Sequence, residues 1–136
     1  MTSNPVYCQA GDSIVSVADT MKREDVGSLP VIDARDRRRL IGMLTDRDIV
    51  IKVVARGGDI RNATVQDAMT ANPLSCHVDD KIDDAVRIMS ERQVRRLPVV
   101  DTNGALTGII AQADIATREK RDNVTAELVG AISEPS

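Results

Sequence analysis

The segment Gly42-Met43-Leu44-Thr45-Asp46-Arg47-Asp48-Ile49 carries a hydroxyl and, three residues later, a carboxylate. Gly42 to Leu44 reads as the end of a strand and Asp46 onward as the start of a helix. Free N–H groups and the positive end of the dipole at a helix start attract phosphate. A carboxylate beside them can accept both hydroxyls of a ribose. A strand–Thr-x-x-Asp–helix unit can therefore hold a nucleotide. The same two side chains also fit a capping box, in which they only satisfy the helix start. The spacing alone leaves both readings open.

Other reactive side chains form weaker patterns. His77 is the only histidine and neighbours Cys76. Adjacent residues on a strand point to opposite faces, so this pair does not make a structural zinc site, and no metal is expected. Cys8 and Cys76 occupy equivalent repeat positions; a redox-sensing disulfide and two buried small apolar residues are both conceivable, the second being favoured. Arg35, Arg37, Arg38 and Arg39 form a basic turn that reads as a solvated hairpin tip, with a phosphate or partner contact as the minor reading. Neither a Gly-x-Ser-x-Gly elbow nor a glycine-rich phosphate loop occurs in the sequence, so no catalytic residue is expected.

Composition narrows the function classes. The chain has 136 residues, 42% hydrophobic and 29% charged, as in ordinary folded domains. Only 1% is aromatic: Tyr7 stands alone, with no Trp and no Phe. Single-strand nucleic-acid modules stack bases on aromatic platforms, which this chain lacks. The core must be built from Val, Ile, Leu, Met and Ala. The net charge of −3 argues against a footprint for nucleic acid or an anionic membrane. No apolar run approaches a membrane span, Met1 to Pro5 has no secretory character, and two cysteines are too few for a disulfide scaffold. A cytoplasmic protein is expected.

An internal repeat organises the chain. At an offset of 68, Met1-Thr2 meets Met69-Thr70, Asn4-Pro5 meets Asn72-Pro73, and Cys8, Asp12, Ile14, Met21 and Val26 meet Cys76, Asp80, Ile82, Met89 and Val94. Leu29-Pro30-Val31 and Asp33 meet Leu97-Pro98-Val99 and Asp101. At an offset of 66, Leu40, Gly42 and Asp48-Ile49 meet Leu106, Gly108 and Asp114-Ile115. The chain is a tandem duplication. Residues 63–68 lead into Met69, and no matching lead-in stands ahead of Met1, so the chain is expected to begin inside a longer natural unit.

Each repeat reads β-α-β-β-α, an α/β (α+β) pattern. The expected elements are a short strand (Val6 to Cys8; Leu74 to Val78) and a helix with the stripe Ile14, Val17, Ala18, Met21 or Ile82, Ala85, Val86, Met89. Asp12 and Asp80 stand ahead as N-cap candidates. A strand (Leu29 to Asp33; Leu97 to Asp101), a polar turn and a second strand (Leu40 to Leu44; Leu106 to Ile110) follow. A second helix runs from Asp46 to Ala55 or from Gln112 to Lys120. The expected bounds are 1–60 for the first repeat, 61–122 for the second with its lead-in, and 123–136 for a terminal helix and tail. Gly57-Gly58 to Thr64 reads as linker. Asn123 to Ile132 is expected to pack on its own module or on a dimer mate.

The duplication, with Leu-Pro-Val-(Ile/Val)-Asp at 29–33 and 97–101 and Gly-hydrophobic-hydrophobic-Thr-x-x-Asp at 42–48, resembles the cystathionine-β-synthase (CBS) domain family. The tandem arrangement is called a Bateman module. The Thr-Asp-Arg-Asp-Ile motif makes it similar to stand-alone bacterial two-repeat proteins of the hypoxic-response type. The resemblance implies two repeats packed with pseudo-twofold symmetry, binding adenosyl ligands (AMP, ADP or ATP, and less often NAD or S-adenosylmethionine). It implies a first site in which Asp48 holds the ribose, Thr45 the ribose or phosphate, and Met43 packs on the base with Leu74, Ser75 and Cys76. Arg95 and Arg96 match positions that reach phosphates, and guanidinium forks suit that task; a solvated helix-to-strand turn is their plain alternative. The second site is degraded: Asp114 remains, Ala111 replaces the threonine, and Gly27 and Ser28 stand where Arg95 and Arg96 stand. Val6, Tyr7, Cys8 and Ile109 could still line a base pocket, but an empty pocket is the better expectation.

The family resemblance thus implies a regulatory sensor, not an enzyme, that signals by a ligand-dependent change of shape to an unknown effector protein, commonly as a homodimer. A ligand-free interaction scaffold, with Asp48 a helix cap only, is the alternative; a nucleotide hydrolase is a distant third.

Overall fold

The computed structural model describes residues 1–115, which fall into two compact units: Val6–Pro73, and Met1–Pro5 together with the chain from Leu74 onward. In chain order the elements are β1 (Thr2–Ser3), β2 (Cys8–Gln9), α1 (Ile14–Glu24), β3 (Ser28–Ile32), β4 (Leu40–Thr45), α2 (Asp46–Ile49) running into a π-helical turn Val50–Val54, α3 (Val65–Ala68), β5 (Thr70–Ala71), β6 (Cys76–His77), α4 (Ile82–Arg92), β7 (Arg96–Val100) and β8 (Leu106–Ala111). Residues 112–115 are helical. The rest of the expected helix to Lys120 and the expected helix Asn123 to Ile132 lie outside the described residues.

Each unit holds one four-stranded mixed sheet, ordered β2-β3-β4-β5 in one and β1-β8-β7-β6 in the other. The inner hairpins, β3 with β4 and β7 with β8, are antiparallel, and β2 and β6 join them in parallel. The proline inside β3 is tolerated because β2 pairs only with Val31 and Ile32, past Pro30. Pro98 in β7 is spared in the same way, since β6 pairs only with Val99 and Val100.

The folded units cross the expected repeat bounds of 1–60 and 61–122. Strand β1 pairs with β8, and β5, in the lead-in of the second repeat, pairs with β4. Each inner hairpin would otherwise leave the outer edge of its last strand unpaired, and a two-residue strand from the other repeat covers it. The approach needs glycine. A Cβ on Gly42 would lie 3.0 Å from both the Thr70 carbonyl oxygen and Met69 Sδ. One on Gly108 would lie 2.8 Å from Met1 Sδ and 2.9 Å from the Thr2 carbonyl oxygen.

The two cores are aliphatic. One gathers Ile14, Val17, Met21, Leu29, Val31, Leu44, Ile49, Val53 and Val65; the other gathers Ile82, Ala85, Met89, Leu97, Val99 and Ile110. Ala18, expected on the buried stripe of α1, is exposed, while Ile14, Val17 and Met21 are buried. The helix caps also differ from expectation. Ser13, not Asp12, caps α1, its side chain accepting the Ser16 N–H, and Lys81, at the N-cap of α4, gives no side-chain cap. Asp12 and Asp80 instead accept the N–H groups of Gln9 and His77, at 2.9 and 2.8 Å. Both aspartates close the turn leaving the short strand, one residue too early to cap the helix. At the other end, Asp25 and Gln93 take the left-handed conformation at φ 54° and stop α1 and α4.

Candidate functional site

The turn from β4 into α2 is pinned from both sides. Thr45 pairs with Ser28 across the hairpin, and the Asp46 N–H donates to the Gly27 carbonyl at 2.9 Å. Thr45 and Asp48 form a complete capping box. The Thr45 N–H donates to Asp48 Oδ2 and the Asp48 N–H to Thr45 Oγ1, each at 3.0 Å. The local reading of the motif is therefore realised. It still leaves the Thr45 hydroxyl proton and Asp48 Oδ1 outside the box.

Lys52 faces that second oxygen. Its Nζ lies 3.4 Å from Asp48 Oδ1 and donates to Thr70 Oγ1 at 3.3 Å. The Lys52 and Asp48 side chains are 31% and 16% exposed, so the pair is largely withdrawn from water while still reachable. Met43, two residues before Thr45 on β4, is half-buried. The structure thus brings Met43, Thr45 and Asp48 together in one unit, and adds Lys52 and Thr70. The lysine was within reach of the sequence as an i,i+4 acid–base pair on a helix face. Thr70 was not, because only the pairing of β5 with β4 carries it there.

The remaining expected site residues sit as follows. Leu74, Ser75, Cys76, Arg95 and Arg96 belong to the other unit. There Arg96 pairs with Ala111, and the Arg95 carbonyl accepts the Gln112 N–H at 3.0 Å. Within its own unit the arginine pair thus flanks the turn that leads to Asp114, as Gly27 and Ser28 flank the turn that leads to Asp48. Asp114 Oδ2 accepts the Ala111 N–H at 2.9 Å and lies 3.9 Å from the Met1 ammonium. The backbone half of the capping box is therefore kept here, and only the hydroxyl half is missing. Asp114 Oδ1 is buried without a hydrogen-bond partner among the described residues. Ile109 is buried in β8, and Val6 and Leu74 are exposed. Tyr7 is half-buried, with the Arg38 guanidinium 5.2 Å from its ring centroid.

Both cysteines are free thiols sunk in the cores, donating to the Pro30 and Pro98 carbonyls at 3.7 Å. Burial, reinforced by Asp12 and Asp80, pushes the Cys8 and Cys76 thiols up to about 12. Their side chains are thus committed to packing, and what they can offer a ligand is backbone. His77 Nδ1 lies 3.7 Å from Asp79 Oδ2. Among the described residues no three His, Cys, Asp or Glu side chains are grouped as a metal site needs.

Over residues 1–55 and 65–120 the sequence matches the CBS domain family. The chain belongs to the CBS domain family. Hypoxic response protein 1 of Mycobacterium tuberculosis is 37% identical over 124 residues, 91% of this chain and 84% of that protein. The crystal structure of Hypoxic Response Protein I with two coordinated zinc ions matches at a TM-score of 0.76 and 36% identity, covering 86% of this chain and 92% of that one. The crystal structure of CBSX2 in complex with AMP matches at a TM-score of 0.77 and 27% identity, covering 89% of this chain and 93% of that one; CBSX2 is from Arabidopsis thaliana. The two CBS repeats and the mixed α/β architecture are as the sequence implies. No helix among the described residues is long and apolar enough to cross a membrane.

Proposed function

We propose that this chain is a regulatory module of the CBS family that binds an adenosyl ligand and signals to an effector protein through a ligand-dependent change of shape. Asp48 is the ribose anchor. The observation that carries this reading is the fixed Asp48 carboxylate: Oδ2 is tied to the Thr45 N–H, which holds Oδ1 in one place with no backbone donor on it. Such an oxygen can accept ribose hydroxyls without a side-chain search. The AMP bound by CBSX2 supports the ligand class. AMP, ADP and ATP lead, with NAD and S-adenosylmethionine in the same class. The residues the family motif assigns are Arg95 and Arg96 for the phosphate, and Met43, Leu74, Ser75 and Cys76 for the base. The module works in the cytoplasm, as a homodimer, and without turning its ligand over.

A thermal-shift panel tests the reading, since a ligand that binds only the folded state stabilises it by RT ln(1 + [L]/Kd). The unfolding temperature is expected to rise with one or more of AMP, ADP, ATP, NAD and S-adenosylmethionine, and Asp48→Ala is expected to abolish the rise. A flat response to the whole panel at millimolar ligand refutes it. Loss of binding in Asp114→Ala but not in Asp48→Ala moves the ribose to the second carboxylate, beside which Arg95 and Arg96 stand in their own unit. The complete capping box at Thr45 and Asp48 favours one other reading, a ligand-free scaffold, and the flat panel is its signature.

A further inference from the structure

We infer that Lys52 sets the charge preference of the ligand site, making it a site for anionic, phosphorylated adenosines over the sulfonium ligand S-adenosylmethionine. The inference rests on Asp48 being the ribose anchor. A bare carboxylate gripping a ribose repels a phosphate carried on the same sugar and attracts a sulfonium there. The helix start carries a second carboxylate, the exposed Asp46, with Arg47 between the two. Lys52 opposes the bias directly: its ammonium stands 3.4 Å from Asp48 Oδ1, on the oxygen the capping box leaves out.

The lysine is held there. It rises from the π-helical turn Val50–Val54, a kind of irregularity often found at functional sites. One of its three N–H donors is fixed on Thr70 Oγ1 at 3.3 Å, and Thr70 is itself held by the pairing of β5 with β4. When ribose hydroxyls take Asp48 Oδ1, the ammonium need not leave; it keeps Thr70 and stays beside the carboxylate as a positive charge. The phosphate or sulfonium is joined to the ribose at C5′, one carbon outside the ring. C5′ lies across the ring from the 2′ and 3′ hydroxyls, so Lys52 acts on that charge through space, over a distance comparable with the Debye length of about 8 Å at physiological salt.

The test compares Kd values for AMP, adenosine and S-adenosylmethionine on the full chain with Lys52→Met, which keeps the apolar stem and drops the charge, and with Lys52→Arg, which keeps the charge. Lys52→Met is expected to weaken AMP at least fivefold, to leave adenosine within twofold, and to leave S-adenosylmethionine unchanged or tighter. Lys52→Arg is expected to retain the wild-type order. A ratio of AMP to S-adenosylmethionine affinity that does not move in Lys52→Met overturns the inference, even if all affinities fall together. If Lys52→Met does not fold, Lys52→Gln takes its place with the same expectations, and equal salt dependence of AMP and adenosine binding on the wild-type chain also overturns the inference. Failure of wild type to bind any adenosyl ligand defeats the proposed function and this inference with it. Binding lost in Asp48→Ala but with a ratio blind to Lys52 defeats this inference alone.

Discussion

Thr45 and Asp48 cap each other: the hydroxyl oxygen of one and the carboxylate of the other each accept the partner's backbone N–H at 3.0 Å. Removing a side-chain cap costs about 1 kcal/mol. Thr45→Ala is therefore expected to lower the stability of the ligand-free chain by about that amount, and Thr45→Ser to restore most of it. Urea unfolding midpoints measure both. An Ala variant as stable as wild type would show that the hydroxyl does not serve the helix start.

Gly42 sits where β5 comes closest to β4. A methyl group there meets the Thr70 carbonyl, which cannot yield without breaking the strand pairing, and the Met69 thioether, which can. Gly42→Ala is expected to destabilise by about 1–3 kcal/mol, the usual range for forced overpacking. Because β5 carries Thr70, the same change is expected to loosen the hold on Lys52, read as greater hydrogen exchange at residues 70 and 71 than elsewhere in the unit. Unchanged stability would mean that β5 is only loosely laid against the sheet.

The buried thiols make the chain alkali-sensitive in a defined direction. Their ordinary value is 9.0 and in the fold it is about 12. Above pH 9 the unfolded chain gives up thiol protons that the folded chain keeps, so stability falls as pH rises from 9 towards 12. Each thiol contributes about 1.4 kcal/mol of loss per pH unit in that window. Cys8→Ala with Cys76→Ala is expected to flatten that slope. Thiol alkylation at pH 8 is expected to run about a thousandfold slower in the native chain than in urea, from the thiolate fraction alone. Labelling at comparable rates would place the thiols at the surface.

Asp33 holds the β3–β4 turn together. Its Oδ1 accepts the N–H groups of Ala34 and Arg39 at 2.7 and 2.8 Å, and Arg39 Nε is 3.6 Å from its Oδ2. Desolvation pushes this carboxyl up, but those N–H groups and the Arg39 guanidinium outweigh it and hold it below the ordinary value of 3.8. A depressed carboxyl stabilises above its unfolded value, and the benefit is lost as pH falls through its folded value. Asp33→Asn is thus expected to be less stable than wild type at neutral pH and to converge with it in strong acid. A gap that persists in acid would assign the effect to something other than charge.

The carboxylate turns were legible because they are local. Thr45 with Asp48, and Ala111 with Asp114, follow from three-residue spacing at a strand-to-helix junction, whatever packs on them. The caps of α1 and α4 were misplaced by one residue, since Asp12 and Asp80 fit a turn and a cap equally well on pattern. The burial of Cys8 and Cys76 as free thiols was legible as the favoured reading; the carbonyls that receive them were not. A cysteine on a two-residue strand can face ligand or core, and that is decided by the Pro30 and Pro98 carbonyls across the sheet.

By itself the sequence left out β1, α3 and β5 but determined the duplication, the β-α-β-β order shared by the repeats, an aliphatic core without aromatic rings, and the position of the Thr-x-x-Asp turn. Each depends on backbone periodicity and residue type over a few positions. The tertiary structure decided which repeat covers which sheet edge, what faces Asp48 Oδ1, and that Arg95 and Arg96 flank the Asp114 turn in their own unit. Two copies of one pattern present equivalent edges and equivalent lead-ins. Local pattern therefore cannot choose between pairing within a repeat and pairing across repeats, and only the fit of Thr2–Ser3 on β8 and of Thr70–Ala71 on β4 makes that choice.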